Sequence, residues 1–169
     1  MRFLILFIFL TTKVFANDVS EIKNIVIHKD LKVYDNVIFL DKNDKKINIK
    51  EFNGNLLLLN FWATWCAPCK EEMPSLDRLQ VNHNLSNLKI FAINISQESK
   101  KKVDNFFEGL NIKNFDPYFD APTTLAIRFS LRGVPTSILI DKDGKEFARI
   151  MGSIDFNDKI FINWLKTYN

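Results

Sequence analysis

Apolar residues cluster along the chain in a way that predicts several strands. The run NLLLLNFW at 55–62 follows Asn53-Gly54 and is typical of a central strand buried on both faces. NLKIFAINIS at 87–96 predicts a second buried strand. Alternating stretches around polar breaks predict two hairpins, one over about 33–50 and one over 135–152, where Gly144 suits the turn because it tolerates positive φ.

Helical spacing recurs between and after these strands. Residues 66–82 place apolar side chains three and four apart, and Pro74 inside that helix is expected to kink it. A polar helix is predicted to end near Gly109, and the segment 111–132 is mixed apart from a short helix over 123–130. The final amphipathic helix, from 154 to 168, can turn five apolar residues to one side: Ile154, Phe156, Ile160, Phe161 and Trp164. This order of elements predicts an α/β layer with a mixed sheet.

The first 16 residues have the pattern of a secretory signal peptide. A basic start precedes an apolar run of eight residues, Phe3–Leu10, and small residues come before an expected cleavage point near Asn17. The run is far shorter than the about 20 residues that cross a bilayer, so an uncleaved anchor is the weaker alternative. We therefore expect a periplasmic or otherwise exported protein. Residues 17–32 show no firm period and are interpreted as an N-terminal extension.

Composition supports one globular domain, and net charge limits the kinds of binding partner to expect. The chain has 169 residues, of which 47% are hydrophobic, enough for a core of its own. Signal removal would take away two of the 23 basic side chains and none of the 20 acidic ones, so the net charge would fall from +3 to +1. Neither a nucleic acid nor an acidic membrane is indicated as a partner.

The only two cysteines, Cys66 and Cys69, lie in FWATWCAPCK at 61–70. Residues i and i+3 of a helix stand about 5 to 6 Å apart, so the pair can form and open a disulfide without moving the backbone. As a structural staple it would contribute little, since a loop of about four residues gives roughly 2 kcal/mol. A zinc site needs four ligands, and His28 and His83 each stand alone, as solvated or capping residues would.

The position of the pair favours redox chemistry. Cys66 follows a predicted strand and begins a predicted helix, where free N–H groups and the helix dipole stabilise an anion and lower the pKa of a thiol. Cys66 is therefore the expected attacking thiolate. Cys69, one turn further in and more buried, is the expected resolving thiol.

The segment NFWATWCAPCKEEMP resembles the active site of the thioredoxin superfamily, in particular its exported TlpA/ResA-like thiol-disulfide oxidoreductases. The likeness covers about residues 33–167 and includes VIFLDKNDKKINIKEFNGNLLLL and RGVPTSILIDKDGK. It implies a thioredoxin fold, with a mixed sheet flanked by helices and an N-terminal β-hairpin extension, over a domain at 33–169. No cofactor and no metal are expected for this protein.

The resemblance assigns roles to residues outside the helix as well. Pro135 would be the cis-proline of the superfamily beside the disulfide, and the backbone of Val134 would pair with an extended substrate. An ordinary turn before a strand is the alternative for Pro135. Trp62 and Trp65 would form walls of the site; Trp62 could equally belong to the core, whereas Trp65 is the stronger candidate for substrate binding.

One position departs from the thioredoxins. Their buried acid falls here on Asn60, which cannot carry a proton. In the TlpA/ResA-like proteins a glutamate three residues after the second cysteine takes a comparable place, and here it is Glu72. A helix would put Glu72 on the same face as Cys69, where it could accept the proton of the resolving thiol. The alternative is that Glu71 and Glu72 are ordinary exposed helix charges.

The resemblance implies an exported reductant that acts on protein substrates with cysteine pairs, for example in cytochrome c maturation, and is recharged by a membrane thiol-disulfide carrier. A disulfide-forming oxidant is the first alternative, although the chain has no room for the large helical insertion of dedicated oxidants. A copper carrier on the same fold is the second. Such carriers have three residues between their cysteines and a later histidine, whereas this chain has two and no histidine after His83.

Overall fold

A computed structural model of the protein describes residue 19, residues 22–120 and residues 124–169. The predicted signal peptide at 1–16 lies outside the described residues. Within them, no helix combines the length and the apolar character that a membrane span requires.

The described residues form one mixed sheet of eight strands: β1 (Ile25–Val33), β2 (Ile38–Leu40), β3 (Lys46–Asn48), β4 (Leu56–Trp62), β5 (Leu88–Asn94), β6 (Pro117–Phe119), β7 (Thr136–Ile140) and β8 (Lys145–Met151). Their spatial order is β1-β8-β7-β4-β5-β6-β2-β3. β4 runs parallel to β5, and β5 to β6, while the other neighbouring strands are antiparallel. The predicted hairpins are therefore β2–β3 and β7–β8.

Four α-helices of the described chain cover this sheet: α1 (Ala67–Gln80), α2 (Lys100–Gly109), α3 (Thr124–Arg128) and α4 (Lys159–Leu165). Side chains of α1, α2 and α4 join the apolar cluster on one face, and α3 joins the cluster on the other. The expected α/β class, a mixed sheet between helices, is confirmed.

β4 lies at the centre of the sheet and serves both faces. Its even-numbered residues Leu56, Leu58 and Trp62 belong to the cluster under α1, and its odd-numbered residues to the opposite cluster. This follows from the alternation of side chains along a strand, and burial of both faces explains the continuous apolar run. Asn60, also even-numbered, is thereby directed toward α1 from the middle of a buried strand.

The structure corrects the sequence analysis at both ends of the chain. Part of the segment interpreted as an extension forms β1, which pairs with β8; its side chains are mostly exposed and its register shifts between Ile27 and Lys32, so no regular alternation marks it. The final helix begins at Lys159, not near Ile154, because the side chain of Asp158 caps it by accepting from two backbone N–H groups.

The segment after α2 and the residue His28 also differ from the sequence-based expectation. The mixed segment after α2 contributes a short strand, β6, whose three residues are too few to give a periodic signal. His28 is not a solvated or capping histidine, because its Nε2 lies 2.7 Å from the buried Glu146 carboxylate. His83 is exposed, in agreement with the expectation for it.

Candidate active site

The two cysteines lie at the junction between the central strand and α1. Cys66 is the N-cap residue of the helix, with extended backbone angles, and the Cys69 N–H donates to its Sγ over 3.2 Å. The two residues form a disulfide with a Cα–Cα distance of 5.3 Å, within the separation expected from helical spacing. A thiolate at Cys66 would thus accept a hydrogen bond from the Cys69 N–H at the positive end of α1, a position that stabilises an anion.

Access to the disulfide is narrow. Cys66 is 4% exposed and Cys69 is fully buried, so the first cysteine is the one that an incoming group can reach. Both belong to the apolar cluster under α1, together with Trp62, Ala63 and Met73. This agrees with the order of roles expected from the sequence, in which Cys69 is the inner thiol.

Glu72, one helical turn beyond Cys69, is a buried carboxyl with only 2% of its surface exposed. Its Oε1 accepts from Asn60 Nδ2 over 2.8 Å, whereas its Oε2 has no hydrogen-bond partner within the described residues. Glu71, its neighbour, is exposed. Glu72 is therefore not the ordinary exposed helix charge that the pair of glutamates could have indicated.

The surroundings of Glu72 favour its neutral form. Burial raises its pKa to about 8, and the hydrogen bond from Asn60 and the nearby backbone of Ile154 offset only part of that effect. Asn60 holds the carboxyl in place without supplying a positive charge. The same amide donates to Ser137 Oγ over 3.0 Å, across the β4–β7 ladder, so its orientation is fixed from two sides.

Glu72 also lines a cleft of about 440 Å³ that is open to solvent. The cleft lies between α1 and the segment after β8, with Arg78, Ser153 and Asp155 among its other walls. Glu72 thus lies one helical turn after Cys69 and also lines an open cleft, through which its carboxyl can exchange a proton with water.

The two tryptophans of the motif differ in their surroundings. Trp62 is fully buried, and its ring stacks on Phe106 at 4.9 Å, so it belongs to the core and offers no surface to a substrate. Trp65 is 68% exposed, and its Nε1 donates to Ser96 Oγ over 3.0 Å. Of the two, only Trp65 can contact a docking protein.

The loop before β7 carries the predicted proline. The Val134–Pro135 peptide bond is cis, as the resemblance implied. Pro135 C=O accepts from Gly152 N–H over 2.9 Å, and the Thr136 hydroxyl donates to Gly133 C=O over 2.8 Å, so both sides of the cis bond are anchored. The backbone N–H and C=O of Val134 have no partner among the described residues, which leaves them free to pair with an extended chain.

The loop between β5 and α2 holds a residue that could not be anticipated from the sequence. Glu98 in this loop accepts hydrogen bonds from Thr64, which lies between β4 and Cys66. Thirty-four positions separate the two residues, and no periodic pattern or motif of the chain links them. The resemblance placed no role in this loop, so nothing in the sequence pointed to it.

Within residues 22–120 and 124–169, no group of three or more His, Cys, Asp or Glu side chains is arranged to hold a metal ion.

The chain matches a known protein family and named relatives over most of its length. The Redoxin family model matches residues 21–158. Thiol-disulfide oxidoreductase ResA of a Bacillus cereus strain is 37% identical over 117 residues, which are 69% of this chain and 66% of the relative, so the match spans just under two thirds of that protein.

Two solved structures share the fold. StoA from Bacillus subtilis superposes with a TM-score of 0.64 at 22% identity, covering 80% of this chain and 97% of its own. The exposed lipoprotein thioredoxin Etrx1 of Streptococcus pneumoniae gives a TM-score of 0.66 at 21% identity, covering 79% and 98%. With the strand order above, these matches confirm the expected thioredoxin-like fold.

Proposed function

Because the chain belongs to the Redoxin family, we propose that it is a thiol-disulfide oxidoreductase whose Cys66–Cys69 pair exchanges with cysteine pairs of protein substrates. One observation carries this proposal: the pair closes a disulfide at the start of α1, one turn before a buried carboxyl that has no cation beside it in the described part of the chain. A structural staple would not need such a neighbour, and a loop this short would stabilise the fold by only roughly 2 kcal/mol.

The proposed reaction begins with the reduced pair. The Cys66 thiolate attacks one sulfur of a substrate disulfide, that disulfide breaks, and a mixed disulfide forms while the other substrate sulfur leaves as a thiolate. Cys69 then loses its proton and attacks the Cys66 sulfur. The Cys66–substrate bond breaks as the Cys66–Cys69 bond forms, so the protein loses two electrons and the substrate gains them with two protons.

Glu72 is the proposed acceptor of the Cys69 proton. A pKa of about 8 is close to the value of about 8.5 for an ordinary thiol, so transfer between the two groups costs little free energy. A normal carboxylate would be too weak a base for this step. The adjoining cleft would then return the proton to water.

Substrate binding is proposed to use the surface beside Cys66. Trp65 offers an exposed ring, and the free backbone groups of Val134 next to Pro135 suit an extended peptide segment that adds as a strand. Strand addition recognises the backbone of a substrate more than its side chains. This mode fits a protein that acts on several partners.

We further propose that the protein works outside the cytoplasm as a reductant. The signal-like segment at 1–16 supports export, and reduction is the useful activity where thiols are exposed to oxidising conditions. The TlpA/ResA-like resemblance supports a role in cytochrome c maturation and recharging by a membrane thiol-disulfide carrier. Net oxidation of the pair in each cycle requires such an electron donor.

Trapping of the intermediate tests the exchange itself. The Cys69→Ser variant should accumulate mixed disulfides with a protein substrate through Cys66, and a thiol reductant should release them. Cys66→Ser is the matched control and should trap none. Adducts on Cys66→Ser instead would reverse the two roles, and adducts on neither variant would contradict the proposed function.

The reduction potential of the pair tests the direction. Potentials of related pairs extend from about −270 mV for thioredoxin to about −120 mV for a strong oxidant. A value near the thioredoxin end, measured by equilibration with glutathione or dithiothreitol, is expected for a reductant. A value near the upper end would identify a disulfide-forming oxidant.

A further inference from the structure

The loop at 63–65, which connects β4 to Cys66, is held from outside by Glu98. Thr64 N–H donates to Glu98 Oε2 over 3.2 Å, and the Thr64 hydroxyl donates to Glu98 Oε1. One carboxylate thus satisfies both donors of a residue that lies two positions before the attacking cysteine. Loops of this kind usually satisfy their polar groups with water, because they run over the surface.

Glu98 is itself fixed in place. Asn94 Nδ2, at the buried end of β5, donates to Glu98 Oε2 over 3.2 Å, and Lys102 Nζ lies 2.5 Å from Oε1. Only 9% of the Glu98 side chain is exposed. Burial alone would raise its pKa, but the hydrogen bonds from Lys102, Thr64 and Asn94 outweigh burial and lower it. Glu98 is therefore an anion at neutral pH.

A second hydrogen bond between the two loops involves the side chain of Trp65. Its Nε1 donates to Ser96 Oγ over 3.0 Å, and Ser96 N–H donates to Asn94 Oδ1 over 2.9 Å. The Asn94 amide thereby links both contacts, one through Glu98 to Thr64 and one through Ser96 to Trp65. The backbone adds a third tie, from Ile95 N–H to Trp62 C=O over 3.1 Å.

We propose that Glu98 is a positioning residue for the exchange reaction: by fixing Thr64, it holds loop 63–65 so that Cys66 and Trp65 keep the orientation an incoming disulfide needs. The inference rests on the proposed function and adds a residue to it. Cys66 is only 4% exposed, so the direction of approach is restricted and a small displacement of the loop changes the attack geometry. Misplacement by about 1 Å can slow a reaction by up to about a hundredfold.

The test measures how fast the reduced full-length protein reacts with Ellman's disulfide reagent, at several pH values. Glu98→Ala should lower the second-order rate constant by about tenfold across the pH range. Glu98→Gln should restore the rate to within about twofold of wild type, because the amide oxygen still accepts from Thr64 N–H. Lys102→Ala, which removes the exposed cation and leaves the Thr64 contacts, is the matched control and should react like wild type.

Two results would overturn the inference. A Glu98→Ala variant that melts earlier but reacts at the wild-type rate would make Glu98 merely structural, and a Glu98→Gln variant as slow as Glu98→Ala would show that charge matters and positioning does not. If Glu98→Ala does not fold, Thr64→Val decides, with a smaller loss of rate expected and an unchanged rate contradicting the inference. Failure of the proposed function itself would look different, because the wild-type pair would then react no faster than free cysteine.

Discussion

The described chain buries two glutamates, Glu72 one helical turn after Cys69 and Glu146 on β8, and the two carboxyls differ in the groups that surround them. Glu146, which is fully buried, accepts from Arg149 Nε and Nη2 over 2.9 and 3.0 Å. It also accepts from the Tyr34 hydroxyl and from His28 Nε2, each over 2.7 Å. Within the described residues, Glu72 accepts from a single side-chain amide and has no neighbouring cation.

The difference in donors reverses the effect of burial. Burial raises the pKa of Glu72 to about 8 because only neutral groups, the Asn60 amide and the Ile154 backbone, oppose it. Burial would raise the pKa of Glu146 as well, but Arg149, Tyr34 and His28 together lower it below its ordinary value. Glu146 is thus a permanent anion that ties β1 and the following loop to β8, whereas Glu72 can change its protonation state near neutral pH.

Removal of the cation at Glu146 should give the largest effect. Arg149→Met leaves a buried carboxylate without its charged partner, which costs about 3 to 5 kcal/mol in the free energy of unfolding. Urea denaturation at neutral pH measures it. Arg132→Met, which changes an exposed arginine, should shift the free energy by less than about 0.5 kcal/mol. Equal shifts in the two variants would mean that Glu146 is not held by Arg149.

The pH dependence of stability should have opposite signs at the two sites. The folded protein holds a proton on Glu72 that the unfolded chain releases, so Glu72 makes stability fall by about 1.4 kcal/mol per pH unit between about 4.5 and about 8. Glu72→Gln should remove that loss and become more stable relative to wild type as the pH rises.

Glu146 should behave in the opposite way. Its lowered pKa contributes stability above the ordinary carboxyl value of 4.5, and this contribution is lost as the pH falls through the folded value. Glu146→Gln should therefore be less stable than wild type at neutral pH, with a difference that shrinks in acid. Urea unfolding of the oxidised wild-type, Glu72→Gln and Glu146→Gln proteins, from acid to about pH 8, measures how stability changes with pH at each site. Contributions of the same sign from Glu72 and Glu146 would refute the contrast between them.

Exchange kinetics should separate the two glutamates next to Cys69. Glu72→Gln removes the proposed proton acceptor and should slow release of the substrate from the mixed disulfide by about tenfold. This is below the usual range for general base catalysis because water in the cleft can substitute for the carboxyl. Glu71→Gln, an exposed neighbour, is the matched control and should release substrate at the wild-type rate. Single-turnover quenching measures both, and identical pH profiles would exclude Glu72 from the mechanism.

The smallest expected change in stability comes from removing one neutral hydrogen-bond donor to Glu146. Tyr34→Phe removes one hydrogen bond to the carboxylate and should lower the free energy of unfolding by about 1 kcal/mol, since the hydroxyl is only partly buried. The Tyr118 hydroxyl donates no hydrogen bond within the described residues, so Tyr118→Phe should leave stability nearly unchanged. A loss for Tyr118→Phe as large as for Tyr34→Phe would show that hydroxyl removal alone accounts for the change.

The central part of the molecule could be predicted because local signals there agree. The apolar run of β4, the i, i+3 cysteines and the capping position of Cys66 all follow from a few neighbouring residues. The proposed roles of Cys66 and Cys69 depend on that local geometry alone.

The remaining features depend on contacts between distant residues. Its spacing from Cys69 and the family resemblance made Glu72 a candidate rather than Glu71, but neither indicates its partner, because it is the fold that places Asn60 of β4 against α1. His28 and Glu146 lie 118 positions apart, so their pairing, and with it the docking of β1, leaves no local pattern. The Thr64–Glu98 contact is of the same kind.

The claim that Glu72 is a carboxyl held ready to exchange a proton beside the redox pair can be tested directly by carbon-13 NMR. Titration of the glutamate carboxyl carbons in the oxidised protein, assigned with Glu72→Gln and Glu146→Gln, follows both groups in one sample. We expect a midpoint of about 8 for Glu72 and a midpoint lowered below the ordinary value of 4.5 for Glu146. A Glu72 midpoint at or below 4.5 would contradict it, since that carboxyl would then be a fixed anion like Glu146.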